Sequence, residues 1–398
     1  MTNRSTLTTW SASCIITGYG IGGGVLAIPY VAQHFGLIEA VIVIVLAYCA
    51  SWLLHMMIAE SALSCEENIQ LGGIIAHHMF RSKHAGAMTA AFYAIIVLVL
   101  ETNLTAYVVG SSDTVRALIS VSPLVAKILF YIFAAIIALF GLKAVGISES
   151  YAVLAIYVII GSLAIASCFV PHNELNLLSI GKFSDYLSLF SMAMLSFVAF
   201  FSIPQVVEGL DRNPARIRRA ITIGLGNNLI ISLVILLCTL ATSVEITEVA
   251  LTCWSLSLGN WARITGNAFT LIAILSTYWS LSLALSSSIE DALHISHRPA
   301  WLIATLPSLL LSLLGIGDFI DYLEIGAGAI AIIVAILVIP TYNHVRALTK
   351  TASASSEAAT PPSPDANAVP SLLGVLGAVP LRIFVLISYI LMALGSII

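Results

Sequence analysis

The chain has 398 residues, 59% of them hydrophobic and only 9% charged, with a mean hydropathy of +1.03. A soluble domain of this length covers its surface with many more charges, so a soluble fold is excluded. The formal net charge of −4 offers no match to a polyanion, and no Lys/Arg cluster resembles a nucleic-acid surface. Six cysteines (Cys14, Cys49, Cys65, Cys168, Cys238 and Cys253) stand singly, without CxxC or Cys/His spacing, which supports neither a disulfide framework nor a zinc site.

Apolar segments fall at 11–34, 37–63, 88–110, 124–142, 151–170, 186–209, 220–241, 262–289, 299–316, 321–341 and 371–397. Most are near the length of about 20 residues that spans a bilayer core as helix. None shows the ten-residue alternation of an outer-membrane barrel. The prediction is an all-α integral membrane protein with eleven transmembrane helices. The first apolar run follows Arg4 and continues through glycines to Pro29 without a small-residue cleavage site, so it reads as a retained span and not a signal peptide.

With the N-terminus inside, the inner loops hold Arg4, Arg81, Lys83, Lys143, Arg212, Arg216, Arg218, Arg219, Arg298, Arg346, Lys350 and Arg382. Only Arg116, Lys127, Lys182 and Arg263 remain outside. That bias predicts a cytoplasmic (inner or plasma) membrane protein with its N-terminus in the cytoplasm and, from the odd span count, its C-terminus outside. A low-complexity stretch, Thr349 to Pro370, makes 342–370 a cytoplasmic linker and leaves 371–398 as a separate eleventh helix.

The ten remaining spans divide into 1–170 and 186–341, five helices each. Both sets open on an interrupted span. Span 1 carries Gly18-Tyr19-Gly20-Ile21-Gly22-Gly23-Gly24, and span 6 carries Phe200-Phe201-Ser202-Ile203-Pro204. Glycine costs a helix about 1 kcal/mol and proline about 3 kcal/mol per position, so both stretches are expected to unwind. Interruptions at matching positions of two five-helix halves predict an inverted repeat with a midplane site. Gly20 and Gly24 also fit a GxxxG packing pair, the plainer account of those glycines.

A broken helix exposes N–H groups at its new N-terminus and carbonyls at its new C-terminus. Two such breaks together suit a zwitterion: Gly22, Gly23 and Gly24 would offer N–H groups to a carboxylate. Gly18, Tyr19, Phe200 and Phe201 would offer carbonyls to an ammonium. Phe197 and Phe200 would line an apolar wall for a medium or large neutral side chain.

The stretches Gly18–Pro29 (GYGIGGGVLAIP), Phe197–Arg219 (FVAFFSIPQVVEGLDRNPARIRR) and Leu275–Asp291 (LSTYWSLSLALSSSIED) resemble spans 1, 6 and 8 of the hydroxy- and aromatic amino acid permeases. That family is a branch of the amino acid/auxin permease group in the amino acid–polyamine–organocation superfamily. The resemblance implies a symporter for an amino acid, with the bilayer and that small molecule as its partners and no cofactor beyond Na⁺ or H⁺. The two breaks place a substrate site at Gly18, Tyr19, Gly20, Gly22, Gly23, Gly24, Phe197, Phe200, Phe201 and Ser202, and the resemblance adds Tyr107 of span 3, where the family carries a tyrosine, as its lid. The resemblance also implies Na⁺ between the span 1 break, near Gly20, and the hydroxyls of Ser276, Thr277 and Ser280, and an inner gate between Arg4 and Asp291. Phe200 and Phe201 stand where aromatic-specific members have smaller or polar residues, and span 5, read as 151–170, lacks the lysine of proton-coupled members.

Ionisable residues inside spans are functional candidates by default. Glu60 sits near the inner end of span 2. Glu101 sits near the centre of span 3, as a second candidate for the coupling ion; it lies six residues, roughly 240° around the helix, from Tyr107. His55, mid-span in helix 2, reads as a hydrogen-bonded packing residue. Gly315-Ile316-Gly317-Asp318 matches the GxGD pattern of a membrane aspartyl protease, but no Tyr-Asp partner exists and two aspartates are needed. A channel is the other alternative. The chain is expected not to be an enzyme.

Overall fold

The computed structural model describes residues 7–65, 69–80, 84–247, 249–319, 322, 325, 326, 329, 330, 333, 337–357 and 371–396, and of 349–357 the backbone only. Among the described residues there is no strand. Span 1 is a bent pair, α1 (Thr9–Gly20) and α2 (Gly24–Ala32), turned by 53° at residues 21–23. After it come α3 (Leu37–Leu63), α4 (Leu71–Met79), α5 (Ala85–Leu118), α6 (Pro123–Leu139) and α7 (Leu142–Ser167). The second half runs α8 (Phe183–Ser196), α9 (Ile203–Gly209), α10 (Pro214–Thr242), α11 (Ala250–Leu258), α12 (Asn260–Leu293) and α13 (His297–Leu314). It ends with α14 (Ile339–Glu357) and α15 (Val379–Gly395). Among the described residues six spans are long and apolar enough to cross a membrane, one of them α8 and α9 taken together as Phe183–Gly209, or seven with the bent pair, and α6 and α15 are shorter apolar helices. Much of the expected tenth span lies outside the described residues.

Local chemistry sets the ends. The Thr8 hydroxyl accepts from Ser11 N–H at the start of α1, and Asn213 Oδ1 accepts from Arg216 N–H at 3.1 Å before Pro214 opens α10. Gly141, at φ +78°, opens α7, and Gly315, at φ +64°, closes α13 in the left-handed conformation where glycine costs least. The first glycine of the GxGD stretch is thus a helix terminator, with Asp318 in the following turn, where its carbonyl accepts from Tyr322 N–H.

Broken span 1 lies at the centre. α1 packs on α7, α10 and α12, while α2 packs on α8 and α10. Span 6 faces it through α8, which also touches α3 and α15; there the Ser191 hydroxyl donates to the Met392 carbonyl at 3.0 Å. The outward faces carry exposed Leu98, Phe133, Phe140, Tyr151, Val158 and Ile165, a surface that only a lipid solvent tolerates.

Candidate functional site

The two breaks meet. A Cβ on Gly20 would run into the Ser196 carbonyl, and one on Gly24 would stand 2.5 Å from Met192 O and 2.6 Å from Ser196 N. Gly20 and Gly24 therefore seat span 1 on the backbone of span 6, so the unwinding and the GxxxG packing coexist in one stretch. A Cβ on Gly22 would lie 2.5 Å from Thr277 Oγ1 and 3.0 Å from Tyr107 Cε1. Asn228 of α10 joins the contact, donating to Ser196 O at 3.2 Å.

The span 6 break differs from the expected one. It falls at residues 197–199, ahead of a 3₁₀ turn at Phe200–Ser202, and Pro204 sits in the first turn of α9, where its missing N–H is no loss. No glycine or proline occupies 197–199. The freed Ala199 N–H donates instead to His55 Nε2 at 3.0 Å, across from α3. His55 Nδ1 lies 2.6 Å from Ser51 O, which can only accept, so the proton sits on Nδ1 and Nε2 presents its lone pair. His55 is a hydrogen-bonded packing residue, as its sequence context suggested, and what it packs is the break.

Beside this junction lies a cavity of about 20 Å³, room for one water molecule. Tyr19, Gly20, Gly23, Asn103, Tyr107, Leu195, Val198, Leu281 and Ile330 line it. The structure brings together Tyr19, Gly20, Gly23 and Tyr107 from the expected set, and the Tyr19 hydroxyl is buried with no hydrogen-bond partner among the described residues. Phe197 and Phe200 turn away from it: the Phe197 ring lies 5.8 Å from Tyr48 and the Phe200 ring 6.1 Å from His55, both on α3. Leu195 and Val198 form the span 6 wall in their place. The Phe201 ring lies 4.8 Å from that of Phe200, tilted by 44°, and Ser202 donates to Ala199 O at 2.7 Å. Asn103, unforeseen, stands one turn before Tyr107 on α5.

Behind the span 1 break, Thr277 Oγ1 donates to Gly18 O at 2.8 Å and Ser280 Oγ reaches Ile15 O at 3.4 Å. Ser276 and Ser280 also donate to a residue absent from the expected site, Glu149, the latter at 2.6 Å. Span 5 begins at Leu142 and not at 151, which places this carboxyl inside it. Its buried face, Val145, Glu149, Val153, Ile156, Ile160 and Leu163, runs at helical spacing, and that periodicity was the available signal. Hydrophobicity alone stopped at the polar run Ser148–Ser150.

The other charged candidates separate. Both oxygens of Glu101 are buried without a hydrogen-bond partner among the described residues, and no hydrogen bond joins it to the α12 hydroxyls. Glu60 pairs with Arg346 at 3.1 Å and accepts from the N–H groups of Leu372 and Leu373, pinning the chain that leads into α15. Asp291 accepts from Tyr93 Oη and from Gln70 N–H at 3.3 Å, while Arg4 lies outside the described residues.

The sequence model of the tryptophan/tyrosine permease family matches residues 5–358. Glutamine transporter 2 of Aliivibrio fischeri is 25% identical over 349 residues, covering 83% of this chain and 87% of that protein. Among solved structures, MhsT in complex with L-phenylalanine superposes with a TM-score of 0.61 at 14% identity, over 99% of this chain and 100% of that one. MHP1, a nucleobase–cation symport-1 family transporter in a closed conformation with bromovinylhydantoin bound, does so with a TM-score of 0.58 at 13% identity, over 99% and 92%. The curated relative is a transporter by name, and the two solved structures share the fold.

Proposed function

The chain belongs to the tryptophan/tyrosine permease family, and on that premise we propose that it is a cation-coupled symporter carrying a neutral or aromatic amino acid across the cytoplasmic membrane by alternating access. It is a transporter and not an enzyme. The observation that carries the proposal is the junction of the two breaks, with Gly20 and Gly24 against Ser196 and a small cavity between Tyr19 and Tyr107. The start of α2 at Gly23 and Gly24 offers N–H groups to the substrate carboxylate. The end of α1 and the 197–199 break offer carbonyls to its ammonium. Phe200, Phe201 and Ser202 back the second break.

The cavity holds no amino acid at its present size, so substrate entry requires the break and its lid, Tyr107, to part. Ten spans in two inverted sets of five plus a separate eleventh, with the N-terminus inside and the C-terminus outside, suit such rocking of one set against the other. The coupling ion, Na⁺ or H⁺, belongs behind the break, where Ser276, Thr277 and Ser280 gather, and Asp291 gates the inner side with Arg4. The relative's name as a glutamine transporter, and phenylalanine bound to a neighbour, favour an amino acid over a nucleobase.

The test is uptake of twenty radiolabelled amino acids into proteoliposomes, with Na⁺ and pH gradients imposed separately. Saturable uptake with counterflow is expected. Non-saturating flux without counterflow would mean a channel.

A further inference from the structure

We propose that Glu149 is the anionic half of the coupling site: its carboxylate takes up one hard monovalent cation, a proton or Na⁺, with each substrate and gives it up on the other side. This rests on the symporter reading above.

Glu149 is fully buried on α7, at the seam with α1 and α12. Oε2 accepts from Ser276 Oγ and Oε1 from Ser280 Oγ at 2.6 Å. Among the described residues no Lys, Arg or His nitrogen lies within 4.0 Å of it. From α1 the titratable group that faces it is the Cys14 thiol, from α12 it meets the two hydroxyls, and no charged group of α6, α10 or α11 acts on it. Two neutral donors offset only part of what it costs to hold an ionised carboxylate out of water. A positive partner has to accompany it whenever this seam is closed.

The seam is also where span 1 breaks. Gly18 has no room for a side chain because the Glu149 carboxyl and Ser276 occupy that space. The next α12 residue, Thr277, holds the Gly18 carbonyl, and Ser280 reaches both Glu149 and Ile15 O. A cation at Glu149 therefore bears on the same turn of α1 whose end faces the substrate cavity. Parting of α7 from α1 and α12 would admit water to the carboxylate and let the cation go. Glu101 is also buried, yet among the described residues no hydrogen bond links it to the span 1 break.

The test uses the full-length purified protein and the amino acid identified by the uptake panel. Apparent substrate affinity is measured by scintillation proximity with and without Na⁺ at one pH, and across a pH series without Na⁺, for wild type, Glu149→Gln and Glu149→Asp. Wild-type affinity is expected to change about tenfold with one of the two cations, which identifies the ion. Glu149→Gln is expected to lose that dependence, and Glu149→Asp to keep it with a displaced midpoint. A tenfold dependence surviving in Glu149→Gln overturns the assignment. Should Glu149→Gln not fold, an undisplaced midpoint in Glu149→Asp overturns it equally. A wild-type protein that carries no amino acid under either gradient would refute the symporter reading itself, a result separate from both.

Discussion

The two interrupted spans come to their breaks by opposite routes, and only span 1 turns sharply, by 53°. Span 1 breaks at 21–23 within a stretch of five glycines, where the helix is weak in itself. Span 6 breaks at 197–199 through Phe-Val-Ala, which has neither glycine nor proline, and an acceptor from another helix holds the freed Ala199 N–H. One break is built into local sequence; the other is imposed by tertiary contact. In span 1 the glycines also have a second use, since Gly20 and Gly24 admit the backbone of span 6.

The largest effect is expected at that backbone contact. Gly24→Ala places a methyl group 2.5 Å from Met192 O and 2.6 Å from Ser196 N, and neither can swing aside as a side chain would. Overpacking of this kind costs about 1–3 kcal/mol, so both thermal stability and uptake should fall. Gly22→Val meets the Thr277 hydroxyl and the Tyr107 ring, which can rotate. Uptake should be abolished there while membrane insertion and thermal stability remain near wild type. Equal stability of both variants with full uptake would show that neither glycine is set by its surroundings.

Next comes His55→Leu, which leaves the Ala199 N–H buried without an acceptor. An orphaned buried donor costs about 1–3 kcal/mol. Uptake should fall about tenfold if the break shape sets the site, since 1.4 kcal/mol corresponds to that factor. Wild-type uptake by His55→Leu would mean that span 6 unwinds without help.

How much of this was legible follows the same division. The span 1 break and the all-helical, membrane-spanning character came from local composition and from the resemblance of the motifs. The span 6 break was expected at 200–204 because Pro204 marks the strongest local helix breaker there. It lies three residues earlier because the deciding hydrogen bond comes from a residue 144 positions away. Phe197 and Phe200 looked like cavity wall for the same reason: shifting the break rotates both rings onto α3. Glu149 was missed at a boundary, where a polar run hid a helix whose buried face continues through it.

A smaller effect is expected at Thr277. Its hydroxyl donates to Gly18 O at 2.8 Å, and Ala273 O is within 3.1 Å. Thr277→Val keeps the volume and removes the bond, for a loss of about 0.5–1.5 kcal/mol. Uptake should drop a few-fold, and the concentration of coupling ion needed for half-maximal uptake should rise. An unchanged ion requirement would detach Thr277 from coupling and leave it a packing residue of the span 1 break.

The smallest effect, and the sharpest on the origin of the span 6 break, is expected from Ser202→Ala. The Ser202 hydroxyl donates to the Ala199 carbonyl at 2.7 Å, and its own backbone N–H donates to the same oxygen at 3.0 Å. Short side-chain bonds of this kind compete with helix and favour a turn, so Ser202, beside Pro204, is a local feature that could make the break self-supporting. Removing the hydroxyl leaves the carbonyl with its backbone donor, and no buried group is orphaned. The loss should therefore stay near the bottom of the hydrogen-bond range, about 0.5 kcal/mol. Thermal stability should hardly move, and uptake should remain within about twofold of wild type. Ser202→Ala and His55→Leu measured side by side then decide the matter. If Ser202→Ala costs as much as His55→Leu, the 3₁₀ turn carries the break from within. If Ser202→Ala is silent while His55→Leu is costly, the break is held from α3, and movement of α3 against span 6 alters the site.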